Sequence, residues 1–435
     1  MNYVVMFKGG VETQEFFSIE IGKELEARGY GIHWFDLMVS EASSRVLEEF
    51  LRRNENDYIV ACTFNYNGIA GEEGLYDEEA NWNIWDAHGI HVYNMVVDHP
   101  LYYHKYRRYN PRKYTHLSID RNHVRYMKRF FPEVNLGEDT SPDKYGTDTF
   151  NDNIDNIDGD MHNKLAGFLP LGGTEINRDR AIIADKPYLD MKERPIDVVF
   201  TGNYTPAKNF DRFLAGMDQE YREFYHSLVD EAMAHPDELI EDIAERCLKA
   251  EMGDITDEEL MSCMPNMMFV DLSVRFNYRA AVIRALADSG IKVHTFGAGW
   301  NLLECSHPEN IIQAGNVDSQ KCLDVISQSK ISINVMPWFK DGAHDRIFNS
   351  MLNGALCVSD GSKYLREEFT DGEDIAFFDL KAIDKVPELV LKYLSDEDRL
   401  SHVAENGYSR CARRHTWSER ARSLHELFEN DKCIL

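Results

Sequence analysis

At 435 residues the chain exceeds one ordinary hydrophobic core and suits two α/β domains. A hydrophobic fraction of 43% is that of a globular protein, and no apolar run reaches membrane-spanning length. A formal net charge of −28 repels nucleic-acid phosphates and anionic lipid, so neither is an expected partner, and any phosphate-bearing ligand must be met by locally concentrated positive charge.

The opening MNYVVMFKGG reads as a strand entering a Gly turn, without the basic start and cleavage site of a secretory signal, so a cytoplasmic protein is expected. Strand and helix signals then alternate: strand Tyr3 to Phe7, helix Gln14 to Arg28, and strands Ile32 to Phe35 and Tyr58 to Cys62. Strand His91 to Val97 leads into Asp98-His99-Pro100, and strand Thr115 to Ile119 into a basic helix, Arg121 to Phe131. Residues 134–163, rich in Asp, Asn, Gly and Thr, predict an exposed acidic loop. Its Asp152, Asp155 and Asp158 recur every third residue, which does not match the alternating ligands of a calcium loop.

Phe168 to Gly173 predicts the exit from a first domain, residues 1–173. A second domain, 174–410, opens with strand Ile196 to Phe200 and carries an acidic helical insert over 207–265. Helix Asn277 to Ser289, strand Lys292 to Phe296, the segment Ile311 to Asn316 and helix Gln320 to Gln328 follow. Strand Ile331 to Val335, helix Arg346 to Asn353 and strand Ala355 to Ser359 complete the alternation. Residues 411–435 hold a closing amphipathic helix, Trp417 to Phe428. The eight cysteines form no Cys-x-x-Cys pair, and their spacing suits neither zinc nor a disulfide framework.

In parallel sheets, ligands bind beyond the carboxyl ends of the strands, and four loops of the second domain have that placement. In Thr201-Gly202-Asn203-Tyr204, Gly202 admits a phosphate to the backbone, Asn203 follows it and Lys208 offers a charge, although a plain turn reads the same way. Gly297-Ala298-Gly299-Trp300 permits a tight turn beside a ligand, with Trp300 either walling a base or sugar or simply packed. Asn316, in Ala314 to Asp318, either meets a nucleobase edge or lies in a surface turn. The fourth loop runs from Met336 into a helix that Asp345 caps and Gly354 stops, so free amides and a positive partial charge face the cleft. His344 and Arg346 add the positive charge that the chain otherwise lacks.

In the first domain an apolar strand ends in Asp98 and His99 before Pro100. A histidine there titrates near neutrality and serves as a base or holds an acceptor hydroxyl, with Asp98 orienting it or acting as the base itself. Tyr102, Tyr103 and Tyr106 either stack on a sugar or pack the segment that follows.

The segment from Asp341 to Gly354, with Gly297-Ala298-Gly299-Trp300 before it, resembles bacterial glycosyltransferases of the group 1 type, above all the spore-maturation-like branch. That resemblance implies an α/β, GT-B architecture: two facing Rossmann-like domains and a final helix crossing back to the first. The donor nucleotide sugar is then held by the second domain and the acceptor, a glycan or protein, by the first. Many retaining relatives use a Glu, seven residues and a second Glu to contact the donor sugar and its ribose; here Asp341 and Asn349 stand at those positions. The resemblance implies no divalent metal and no cofactor beyond the nucleotide-diphosphate sugar. The expected activity is sugar transfer, with the diphosphate near His344, Asp345 and Arg346 and with Asp98 and His99 serving the acceptor. A nucleotide-sugar epimerase of the same fold and a non-catalytic nucleotide-binding scaffold are the alternatives.

Overall fold

Parallel strands that are apolar on both faces order this chain into two sheets, in a computed structural model that describes residues 1–69, 71–80, 82–131, 166–176 and 188–432. The chain divides into two units, one of Met1–Leu171 with Trp417–Leu435 and one of Gly172–Thr416. The expected acidic loop at 134–163 lies outside the described residues.

In the first unit, β1 (Asn2–Lys8), β2 (Gly31–Asp36) and β3 (Tyr58–Phe64) form one half of a sheet. A two-stranded hairpin, β4 (Tyr76–Asp77) and β5 (Trp82–Asn83), interrupts it. β6 (His91–Val96), β7 (Tyr114–Ser118) and β8 (Ala166–Phe168) complete it. The spatial order is β2-β1-β3-β6-β7-β8, every pair parallel. Val4, Val5 and Met6 of β1 are fully buried, as strands covered on both faces require. The crossovers are α1 (Glu12–Ala27), α2 (Ser40–Arg53), α3 (Ile84–Ala87) and α4 (Arg121–Phe130). Sequence reading assigned no helix to the α2 interval, yet its buried stripe of Ser44, Leu47 and Leu51 has helical spacing.

The second unit begins with β9 (Ile196–Thr201), then the helical insert of α5 (Gln219–Ala234), α6 (Ile240–Met252) and α7 (Asp257–Cys263). Thr256 and Glu259 close a reciprocal capping box on α7. α8 (Met268–Asp288) starts well before the predicted Asn277, because the run after Pro265 continues the helical pattern. There follow β10 (Val293–Phe296), β11 (Ile311–Gly315), α9 (Ser319–Ser327) and β12 (Ser329–Asn334). α10 (Asp345–Leu352), β13 (Leu356–Asp360), α11 (Lys363–Glu368), β14 (Ala376–Phe378), α12 (Val386–Leu394) and α13 (Glu397–Arg414) complete it. The sheet order is β11-β10-β9-β12-β13-β14, again all parallel. From β9 the chain builds outward first through β10 and β11, then on the other side through β12 to β14. The order therefore reverses between β9 and β12, the place where open α/β sheets leave a crevice.

α14 (Trp417–Lys432) belongs to the first unit. Trp417 lies 5.3 Å from the Phe17 ring, and Phe428 meets Tyr30 and Tyr93 at 5.6 and 4.9 Å. Arg420 Nε donates to the Leu171 carbonyl at 3.1 Å, and Asp431 accepts from Tyr58 and faces His91 within a buried cluster. No helix among the described residues is long and apolar enough to cross a membrane.

Candidate functional site

Because every strand of the second sheet runs the same way, the loops after Thr201, Phe296, Gly315, Asn334 and Asp360 leave one edge of it. Three of them are laced together. Gly202 N donates to Phe296 O at 2.7 Å, Tyr204 N to Ala298 O at 2.9 Å, and Gly297 N to Gly315 O at 2.8 Å. Asn203 Oδ1 accepts from Ala298 N at 2.8 Å, so its side chain is a brace between loops. Gly299 is left-handed (φ +88°), and a Cβ there would lie 2.0 Å from the Tyr204 carbonyl oxygen; the turn requires glycine. Trp300 is 2% exposed, stacks on Tyr204 at 5.2 Å and donates its indole N–H to Gly202 O at 2.9 Å. Of its two readings, the geometry is that of a packed side chain supporting the loop. Lys208 is 72% exposed and reaches Glu304 at 3.4 Å, and Asn316 is exposed just past β11.

The α10 loop is built differently. His344, not Asp345, is the N-cap residue: its backbone is extended, and Nδ1 accepts from Arg346 N at 3.4 Å. Asp345 is instead the first residue of the helix, with Oδ1 2.6 Å from His344 Nδ1 and Oδ2 accepting from Asn349 Nδ2 at 2.9 Å. Burial pushes the Asp345 carboxyl upward, but the neighbouring His344 and Arg346 outweigh it and hold the acid below its ordinary range. Burial and then Arg346 push His344 downward, favouring neutral imidazole.

Arg346 is 8% exposed, and its Nη1 donates to the Thr201 carbonyl at 2.7 Å, at the reversal point between β9 and β12. Its Nε and Nη2 are buried without a hydrogen-bond acceptor. Arg279 of α8, 9% exposed, comes to the same place: Nη1 donates to Asn203 O at 2.9 Å, and Nε is buried without an acceptor. The two guanidinium carbons lie 5.5 and 5.9 Å from the Phe200 ring centre. Burial, followed by the charge of Arg346, lowers Arg279 well below its ordinary value, and burial lowers Arg346. One turn before Arg279, Arg275 pairs with buried Asp271 at 3.0 Å. Three guanidinium groups are thus gathered where the sequence reading placed one. Arg275 and Arg279, four residues apart on one helical face, were the available signal.

Asp341 is buried, with Oδ2 3.6 Å from Lys363 Nζ. Asn349 does not present an open amide: besides donating to Asp345, its Oδ1 accepts from Thr174 N at 2.8 Å. Asn353, one turn on, brackets the same segment through Thr174 O at 2.9 Å and Ile176 N at 3.0 Å. Asp360 at the end of β13 accepts from Met336 N at 2.8 Å, and burial raises it to about 6. Among the described residues, no three His, Cys, Asp or Glu side chains group as metal ligands.

In the first unit, Asp98 and His99 part company. His99 is buried, its Nδ1 accepts from Leu101 N at 3.2 Å, and its ring packs on His123 and Tyr126. Asp98 is half-buried, and one oxygen, Oδ2, accepts from Asn65 Nδ2 and Tyr103 Oη, each at 3.1 Å. Tyr103 and Tyr106 pack against the core through Tyr66.

Residues 279–426 match the family model described as glycosyl transferase-like, so the match opens on Arg279 and includes Arg346. No protein of curated function matches the sequence. Among solved structures, the chain is similar to an α-glucosyltransferase in complex with UDP-glucose and DNA containing an abasic site, at 13% identity and a TM-score of 0.51, over 99% of both chains. It is similar also to an α-glucosyltransferase in complex with UDP, at 11% identity and a TM-score of 0.51, over 99% of this chain and 100% of that one. A sucrose-phosphate synthase from Thermosynechococcus elongatus aligns over all of both chains at 9% identity and a TM-score of 0.49. The chain therefore has the two-sheet GT-B fold of glycosyltransferases, and its residues 279–426 match a glycosyl transferase-like family model.

Proposed function

We propose that the protein is a metal-independent glycosyltransferase of the group 1 type, of the spore-maturation-like branch, that moves a sugar from a nucleotide-diphosphate donor to a glycan or protein acceptor. One observation carries the reading: Arg346 and Arg279, each more than nine-tenths buried, hold N–H groups without acceptors at the sheet's reversal point. A buried cationic donor left unmatched costs about 1–3 kcal/mol or more, and a diphosphate supplies the missing acceptors and charge. The N-terminal end of α10, whose Arg346 amide is capped by His344, adds its positive partial charge beside Arg346.

In this reading the guanidinium pair, with the positive partial charge at the start of α10, neutralises the charge that grows on the departing diphosphate, which is the main catalytic contribution. Gly202 and Asn203 shape the loop beside it, and Gly297, Gly299 and Trp300 hold that loop in place. Lys208 and Asn316 supply outer contacts to the nucleotide, and Asp341 meets the donor sugar. In the first unit Asp98 serves the acceptor hydroxyl, with His99 fixing the backbone that follows it. Asn349 reaches the ribose only by giving up Thr174 or Asp345. The cytoplasm, where nucleotide sugars are made, is the expected location.

UDP and UDP-glucose, the ligands named for the two α-glucosyltransferases, are the probes of choice. Calorimetry should show UDP binding at least tenfold tighter than UMP and lost in an Arg346→Ala, Arg279→Ala double variant. Equal UDP affinity in that variant would overturn the reading. Turnover of UDP-glucose in excess EDTA tests metal independence, which an abolished rate would refute.

A further inference from the structure

The two non-glycine residues with positive φ among the described residues are adjacent: Asn65 (φ +48°) and Tyr66 (φ +67°), directly after β3. Asparagine tolerates the left-handed region, whereas tyrosine enters it only when its surroundings impose it. Here they do. Asn65 N donates to Met95 O at 3.1 Å, and Tyr66 N donates to Asn94 Oδ1 at 3.1 Å. Asn65 Oδ1 accepts from Val97 N at 2.9 Å, which turns its Nδ2 onto Asp98 Oδ2 at 3.1 Å. The Tyr66 ring stacks at 5.5 Å on Tyr103, whose hydroxyl donates to the same Asp98 oxygen at 3.1 Å. Both strained residues thus lead to one carboxylate oxygen. No protein hydrogen bond falls on the other, Oδ1, among the described residues, and Asp98 is half-buried at the carboxyl end of β6.

We infer that Asn65 is a positioning residue which, with Tyr103, locks Oδ2 of Asp98 and leaves Oδ1 to take the proton of the acceptor hydroxyl. The inference rests on the glycosyltransferase reading. In the step it serves, the acceptor oxygen forms a bond to the donor's anomeric carbon. The bond from that carbon to the diphosphate oxygen breaks, its electron pair leaves on the diphosphate, and the hydroxyl proton passes to Asp98 Oδ1. Strain concentrated at a functional group, and a base fixed in one rotamer, are what such a transfer needs.

The test follows UDP release from UDP-glucose with water as acceptor, alongside UDP-induced thermal stabilisation as the check of folding. Asn65→Gly keeps the left-handed backbone and removes both side-chain bonds. It should lower kcat by about tenfold or more with KM for UDP-glucose unchanged. Tyr103→Phe, which removes only a hydroxyl, should lower kcat in the same way to a smaller degree. Asn65→Asp keeps the acceptor for Val97 N but turns a carboxylate onto Asp98, so it should be slower than Asn65→Gly. A purely structural Asn65 demands the reverse order, and that order, or an unchanged kcat in Asn65→Gly, overturns the inference. If the unmodified protein neither binds UDP nor releases it from UDP-glucose, the glycosyltransferase reading itself falls and takes the inference with it.

Discussion

Arg346 Nη1 donates to the carbonyl oxygen of Thr201 at 2.7 Å, tying the first turn of α10 to the carboxyl end of the strand that starts the second sheet. One hydrogen bond thereby aims a planar cation whose Nε and Nη2 donors are unmatched. Lysine carries the same charge but a single ammonium, and it cannot bond Thr201 and two phosphate oxygens in that geometry. Arg346→Lys should weaken UDP binding by about 30-fold, or about 2 kcal/mol, measured by calorimetry at constant ionic strength. An unchanged affinity would show that charge alone suffices.

Gly202 is the counterpart of that bond. A Cβ at this residue would stand 2.6 Å from Arg346 Nη1, so Gly202→Ala should push the guanidinium off Thr201. The expected cost is about 1–3 kcal/mol in urea unfolding, with UDP affinity falling as well. A full-affinity alanine variant would mean that Arg346 has another way to stand.

Asn349 separates structure from ligand contact. As a neutral amide it donates to Asp345 and accepts from Thr174 at once, which no carboxylate does. Asn349→Asp should set two buried carboxylates against each other and lower stability by about 2–3 kcal/mol, read from the urea midpoint. Were the residue open for a ribose, stability would hold and only UDP affinity would change.

Asp360 gives a pH signature of known sign. Burial raises its folded-state value from 3.8 to about 6, so between those pH values the folded protein binds more protons than the unfolded chain. Its contribution to stability therefore falls as pH rises from 4 to 6, reaching a penalty of about 3 kcal/mol above pH 6. Asp360→Asn, which mimics the protonated acid and still accepts from Met336 N, should be more stable than the parent at pH 8 and similar to it at pH 4. Paired denaturation curves at the two values decide this; a constant difference would remove Asp360 as the cause.

The sheets were legible because Val4 to Phe7 and Val198 to Phe200 are apolar without alternation and end in turns. So was the α10 loop, whose His-Asp-Arg sequence precedes a helix. The cap, though, is His344, because which of two adjacent polar residues is extended depends on packing and not on residue type. Arg279 was hidden for a related reason. It lies inside α8, far in sequence from Arg346, and only the meeting of α8 with the Thr201 to Asn203 loop brings the two guanidinium groups together. Asn65 has no sequence signal beyond its residue type, since its backbone angle is imposed by Met95 of β6 and by Val97 just past it.

That α14 completes the first unit bears on how the polypeptide matures. Residues 1–171 lack the α14 partners of Phe17, Tyr30 and Tyr58 until residue 432 has left the ribosome, whereas residues 172–416 are contiguous in sequence. Translation thus finishes the later-numbered unit before the earlier one, whose strands emerge first but whose closing helix emerges last. A laboratory wishing to express the first sheet by itself should splice residue 171 to residue 417 instead of truncating.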